Sequence, residues 1–363
     1  MITSLIVENF KGFEKLKTEN LSRINLFGGS NNIGKTSVLE AIFAYYDRLS
    51  PDFFIKQFTW RGLVLMSVQN KKEHELWAPV FNNFDINKAI KINITLDKKF
   101  YEDLTIRIDK DFARPIPSQT ISMFPDNSPS GSDSSNQSAL HLVGNSNNEK
   151  SLDASYFFSG KNLQLVRRVM KVKNIPVAHF LSTRTFNPKQ DSVRFGQLMT
   201  NNKDSLVVKA LKIIEPRLTE ISPVPISESV TILHGNIGLA KKIPISYMGD
   251  GVSRLLSYVL AILNSPNGII LIDEVENGFH YTKHEEIWKI LFSLAEEYNV
   301  QVFANTHSFE MVKAFNNACI NMDKNYSYLE LFHHAKNQSV MTNYLDKDTL
   351  RYKIENSKPF RGE

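Results

Sequence analysis

Ile24-Asn25-Leu26-Phe27-Gly28-Gly29-Ser30-Asn31-Asn32-Ile33-Gly34-Lys35-Thr36-Ser37 is the stretch that decides the fold. A short apolar strand runs into a glycine-rich segment. From Lys35 onward Val38, Leu39, Ile42, Phe43, Tyr46 and Leu49 recur at three- and four-residue steps, the mark of a helix with one buried face. The part from Gly29 to Thr36 fits G-x-x-x-x-G-K-[ST] at every fixed position, between a strand and a helix as that motif requires. Glycines let the backbone wrap closely around a phosphate chain, and the helix N-terminus presents N–H groups to it. Lys35 can reach the β and γ oxygens, and the Thr36 hydroxyl can ligate Mg2+. Gly29, Asn31, Asn32, Ile33, Gly34, Lys35, Thr36 and Ser37 are therefore the candidate residues for binding ATP.

A second element is Ile269-Ile270-Leu271-Ile272-Asp273-Glu274, a buried strand ending in two carboxylates with separable tasks. Asp273 is placed to hold Mg2+ together with Thr36, and Glu274 to orient or deprotonate the water that attacks the γ-phosphate. A third is Asn305-Thr306-His307-Ser308, at the end of the next strand. Ligands gather at the C-terminal ends of parallel strands, so His307 becomes a candidate contact to the γ-phosphate and joins Glu274 and Lys35 as a catalytic candidate.

Between and beyond these motifs the pattern implies an α/β protein. Stretches 253–264 and 282–298 read as helices, and 268–273 and 300–305 as strands, the rhythm of a parallel sheet with helices on both faces. Residues 50–175 read as an inserted antiparallel β annex, clearest in the alternation of 90–96 and 104–108. Within it, 117–150 is so rich in Ser, Asn, Asp, Pro and Gly that a flexible loop is expected. Helix is expected at 207–215, and strands and a short helix after residue 326 close a single 1–363 ATPase head.

Composition removes several classes. With 42% hydrophobic and 22% charged residues the chain reads as an ordinary globular protein, and the one cysteine, Cys319, excludes disulfide and zinc frameworks. No stretch is long and apolar enough for a membrane helix, and the N-terminus does not look like a signal peptide, so no membrane partner and a cytoplasmic location are expected. The net charge of +5 permits nucleic-acid contact without demonstrating it. The densest basic stretch, Arg167-Arg168-Val169-Met170-Lys171-Val172-Lys173, has no regular aromatic interleaving and reads as a solvated strand edge.

Together these motifs resemble the OLD-like, AAA-type branch of the ABC ATPases, related to RecF, RecN and the chromosome-maintenance (SMC) heads. The resemblance also rests on Asn9-Phe10-Lys11-Gly12-Phe13, on Val275-Glu276-Asn277-Gly278-Phe279-His280-Tyr281 after the paired carboxylates, and on Val302-Phe303-Ala304 before Asn305. It implies an ABC/SMC-type head with a mixed central sheet, and a homodimer or higher homo-oligomer in which ATP is sandwiched between two heads. Each phosphate loop would then be completed by the partner's signature loop, here Met248-Gly249-Asp250-Gly251-Val252-Ser253-Arg254, with Gly249 standing where the family pattern has serine. Gly249, Asp250 and Gly251 are the residues expected against the partner's phosphate, and Asn277-Gly278 the dimer-contact loop. No residue is assigned to the family's glutamine loop: Arg184 falls near where it should lie, and an ordinary surface arginine is an equal reading of that residue. Proteins of this group often accompany nucleases or toxins in defence against phage. The implied function is thus a regulatory ATPase controlling a separate effector; the alternative is a RecF- or RecN-like repair ATPase binding DNA itself. A built-in nuclease is disfavoured because the stretch after His307 is short and lacks clustered acidic residues.

Overall fold

Four-residue runs as apolar as Ile269–Ile272 have no face to offer to water, and in the computed structural model all four residues are buried in a parallel sheet. The structure describes residues 1–50, 52–61, 77–112, 119–122, 138–159, 162–171, 175–183, 187–320, 326–336 and 339–356. In chain order the elements are β1 (Ile2–Phe10), β2 (Phe13–Thr18), β3 (Ile24–Gly29), α1 (Lys35–Asp47), α2 (Ile55–Trp60), β4 (Ile90–Leu96), β5 (Phe100–Asp109), β6 (Gln119–Ser122), β7 (Ala139–Ser146), β8 (Glu149–Ser159), β9 (Asn162–Met170), β10 (Ala178–Leu181), α3 (Pro188–Thr200), α4 (Asp204–Leu211), β11 (Glu220–Ser227), β12 (Val230–Asn236), β13 (Ile243–Pro244), α5 (Asp250–Leu263), β14 (Ile269–Ile272), α6 (His284–Glu297), β15 (Gln301–Asn305), α7 (Phe309–Ile320), β16 (Tyr326–His333), β17 (Val340–Leu345) and α8 (Lys347–Glu355). The chain divides into two compact units, Met1–Leu21 with Asn31–Ile175 and Leu331–Tyr344, and Ser22–Ser30 with Pro176–Glu330 and Leu345–Glu363.

The first unit carries α1 and an antiparallel sheet ordered β2-β1-β4-β5-β7-β8-β9-β6. Alternation builds it: along β4 the side chains of Ile90, Ile92 and Ile94 are buried while Lys91 is exposed. The stretch 50–175 supplies six of these strands, and the N-terminal β1 and β2 supply the other two, β1 pairing directly with β4. The loop expected over 117–150 is interrupted. Residues 119–122 form β6 and 139–146 form β7, whose partner β8 begins at Glu149; 117–118 and 123–137 lie outside the described residues. Ala139, Leu140 and Leu142 are buried in β7, a local apolar signal that the polar composition of the wider window conceals. In β9, Arg168 reaches across to Asp153 of β8, and the pairing of β6 with β9 ends at Leu165, short of the basic residues.

In the second unit β10, β14, β15 and β3 are parallel and adjacent in that order. Ile270, Ile272, Val302 and Ala304 share one apolar cluster with Trp288 and Leu291 of α6 and Phe315 of α7. A second cluster joins Leu255 and Val259 of α5 to Phe195 of α3 and Leu211 of α4. The α/β class expected from the sequence is the class observed. Helix α5 begins at Asp250, one turn before the expected 253, and Cys319 is buried. Among the described residues no helix is long and apolar enough to cross a membrane.

Candidate functional site

Because the four strands are parallel and in register, their C-terminal ends at Leu181, Ile272, Asn305 and Gly29 emerge along one edge of the second unit's sheet. Asp273 and Glu274 follow β14 there, and His307 follows β15 two residues beyond its end. Phe27 of β3 stands opposite Asn305, and Thr306 N–H donates to the Phe27 carbonyl at 3.0 Å. The first residues of the glycine loop, Gly28-Gly29-Ser30, therefore leave the sheet beside the residues that follow β15.

Asn305, which the sequence reading did not single out, organises this edge. Its Nδ2 donates to Asp273 Oδ1 at 2.8 Å, its Oδ1 accepts from the Glu274 main-chain N–H at 2.6 Å, and its carbonyl accepts from Val275 N–H at 3.0 Å. The Glu274 bond matters because that residue sits at φ 49°, a left-handed conformation that costs a non-glycine residue about 1–2 kcal/mol. Asp273 is buried and Glu274 half-buried. A signal for Asn305 exists only once β14 and β15 are paired, since the asparagine lies 31 residues from its Glu274 partner. Glu276 accepts from the His307 main-chain N–H at 2.9 Å, so a second tie joins the two strand ends.

On the first unit's side, Gly34 and Lys35 begin α1. Gly34 is the N-cap at φ 101° and makes no side-chain cap; a Cβ there would stand 2.7 and 2.8 Å from ring atoms of the buried Phe13. Gly29 and Asn32 also take left-handed φ values, 126° and 60°, so the loop 29–34 coils tightly before the helix. Asn31 and Asn32 are exposed, Gly34, Lys35 and Thr36 half-buried, and Ile33 and Ser37 buried. One turn further on, Glu40 anchors α1. Its side chain is 1% exposed and receives Lys11 Nζ at 2.6 Å and both Arg61 Nε and Nη2, at 2.9 and 2.7 Å, while Lys11 also donates to Gln57 Oε1 at 3.1 Å. Burial pulls the Lys11 ammonium down to about 8, against the attraction of Glu40. For Glu40, burial works upward but Lys11 and Arg61 outweigh it, leaving its carboxyl below the usual range. The stretch Asn9-Phe10-Lys11-Gly12-Phe13 thus holds the first turns of α1 by an ion pair and by the Phe13 ring.

The predicted signature loop lies in the second unit. Gly249, at φ 101°, is the N-cap of α5; it and Asp250 are exposed, and nothing stands within 4 Å of a Cβ built on Gly249. Gly251 is buried against the turn that follows the carboxylates. A Cβ on it would come within 2.8 Å of the Gly278 carbonyl, and one on Gly278, at φ 80°, within 2.9 Å of Arg254 Cδ. Arg254 in turn donates to the Thr183 carbonyl at 2.9 Å, just past β10. Arg184 lies outside the described residues. The second unit therefore brings together Gly29, Asp273, Glu274 and His307 on one sheet edge, and sets Asp250 and Gly251 against Gly278, with the exposed Gly249 just before them. Asn31 through Ser37 belong to the first unit and continue the same chain from Ser30.

Residues 24–312 match a protein-family model described as "AAA domain, putative AbiEii toxin, Type IV TA system". The chain belongs to this AAA family. Among curated proteins it is 24% identical to the "ATP/GTP phosphatase" of Helicobacter pylori, over 86% of this chain and 87% of that protein. Among solved structures it is similar to the Smc head domain with an extended coiled coil bound to the C-terminal domain of ScpA, derived from Pyrococcus furiosus. That match has 9% identity, covers 99% of each chain and has a TM-score of 0.45. It is also similar to the SMC head domain from Thermotoga maritima, with 10% identity over 95% of this chain and 99% of that one and a TM-score of 0.41.

Proposed function

We propose that this AAA-family protein is a Mg2+-dependent ATPase whose hydrolysis switches it between two assembly states and so controls a separate effector. The observation that carries the reading is the shared sheet edge: the glycine loop departs from β3 beside the strand ends that bear Asp273, Glu274 and His307. The tight coil of residues 29–34 and a helix beginning at Lys35 without a side-chain cap suit a triphosphate, and Gly34 leaves no room for any larger residue. Gly29, Asn31, Asn32, Ile33, Gly34, Lys35, Thr36 and Ser37 would cradle the phosphates, and Thr36 with Asp273 would hold Mg2+. Among the described residues no three His, Cys, Asp or Glu side chains cluster as a metal cage, which suits a cation bound largely by phosphate oxygens and water. Glu274 would align the attacking water and His307 meet the γ-phosphate. The name of the Helicobacter relative supports phosphate-releasing chemistry, and the family's description, which names a putative toxin of a type IV TA system, is in keeping with a toxin as the effector.

In the homo-oligomer, Gly249, Asp250 and Gly251 of one head would close on the nucleotide of a second, with the main-chain N–H groups of the first turn of α5 standing in for the missing serine hydroxyl. Two variants test this. Glu274→Gln keeps the shape and removes the base, so ATP should still bind while turnover falls by ~10² or more. Lys35→Ala should lose nucleotide binding. In sedimentation with ATP and Mg2+, the Gln variant should shift to a larger assembly and the Ala variant should not. If both sediment alike and hydrolyse ATP like the parent, the reading is wrong.

A further inference from the structure

Glu276 stands just past the two carboxylates, its side chain 9% exposed, in a turn closed by Asn277 N–H on the Glu274 carbonyl at 2.9 Å and Phe279 N–H on the Glu276 carbonyl at 3.1 Å. A single oxygen, Oε1, lies 2.9 Å from the His307 main-chain nitrogen and 2.9 Å from the His307 ring Nδ1. At that separation a bare nitrogen lone pair would be repelled by the carboxylate oxygen, so the contact is favourable with the proton on Nδ1. The main-chain hydrogen bond fixes where the residue starts and the charge contact orients the ring with Nδ1 toward Glu276, leaving Nε2 on the other edge of a ring that is 47% exposed. Free neutral histidine in water favours the opposite tautomer, with the proton on Nε2, so the carboxylate reverses the ordinary preference.

We infer that Glu276 is a positioning residue for the hydrolytic reaction: it sets the tautomer and direction of His307, so that Nε2 is the atom presented to the γ-phosphate. The inference rests on the role proposed above for His307. When Nε2 carries a proton to meet a phosphate oxygen, the ring is cationic and the Glu276 carboxylate behind it balances the charge, as a buried carboxylate does for a catalytic imidazole. Glu276 itself touches no nucleotide in this scheme. Its removal should therefore lower turnover and leave ATP affinity nearly unchanged.

Two measurements test this. Nitrogen-15 NMR of the His307 ring in the unaltered protein at pH 8, assigned with His307→Ala, should show Nδ1 protonated and Nε2 bare; the reverse pattern overturns the inference without any change at Glu276. In a kinetic cycle, Glu276→Ala should reduce kcat by 10- to 100-fold, the usual range for a residue that supports a functional ligand, with KM for ATP changed less than threefold. Glu276→Gln, which retains an acceptor oxygen, should recover part of the loss. In a His307→Ala background Glu276→Ala should change kcat less than twofold, and multiplying effects would overturn the inference. If His307→Ala and Glu274→Gln leave hydrolysis intact, the ATPase reading fails while the tautomer result stands; if they abolish it and Nε2 proves protonated, this inference alone fails.

Discussion

Lys11 offers a sharp test of the anchor behind the glycine loop. Its side chain is 14% exposed, lies 2.6 Å from Glu40, and is held down to about 8 by burial. In the unfolded chain the same group keeps its proton up to the ordinary lysine value of 10.5. Between those two values the unfolded state binds more protons than the folded one, so stability contributed through this residue rises as the pH rises from about 8 to 10.5. At 1.36 kcal/mol per pKa unit, the gap corresponds to roughly 3 kcal/mol gained across the window. Lys11→Met keeps most of the stem in place and removes the titration. Urea unfolding of parent and variant should be followed from pH 7 to 10.5, and the difference between their free energies plotted. Buried tyrosines such as Tyr46, whose ionisation burial pushes upward, work in the opposite direction but are common to both proteins and cancel in that difference. The difference should climb in favour of the parent by roughly 3 kcal/mol. Parallel curves would refute the reading, because they would mean that the Lys11 ammonium titrates in the fold as it does in the open chain.

Gly34→Ala must place a methyl group against the Phe13 ring at a left-handed backbone position; a loss of about 2–4 kcal/mol is expected, with weakened ATP binding by calorimetry, and an unchanged melting temperature would contradict the described loop. Gly249→Arg meets open space, so only the backbone strain of a φ 101°, ψ 157° position, about 1–3 kcal/mol, is expected. It should leave ATP binding intact and block ATP-driven assembly in sedimentation; unimpaired assembly and hydrolysis would remove Gly249 from the proposed interface. Asn305→Leu releases Asp273 and the Glu274 main chain together, and should lower kcat at least tenfold while costing about 2–4 kcal/mol of stability, measured by turnover and urea midpoint; full activity would show that Glu274 holds its φ 49° conformation unaided.

What could be read from the sequence was local or periodic. The glycine loop carries its chemistry in eight consecutive residues, and β14 announces itself by four apolar residues followed by two acids. His307 was legible because the end of a strand after a paired-carboxylate strand is a defined place in a parallel sheet. Asn305 and Glu276 were not legible as positioning groups, because each acts across the β14–β15 pairing, and no spacing rule along one strand names its neighbour's partner. The sheet of the first unit was half visible for a related reason: the alternation of β4 is plain, but its bond to β1, more than 80 residues earlier, is a tertiary choice. At 139–146, composition misled, because one apolar strand was averaged into a polar window.

The contact between Gly251 and Gly278 has a mechanical meaning. Backbone meets backbone there without a side chain between them, and Arg254 closes over the turn before reaching Thr183. A joint of this kind has no play. Any movement of the first turn of α5 must be handed at once to the turn behind Asp273 and Glu274, and any shift of that turn must be returned to α5. Side-chain contacts absorb small displacements by changing rotamer, whereas two glycines pressed together cannot. Gly249, the exposed residue immediately before this contact, is thereby tied through Gly251 to the turn that follows the carboxylates.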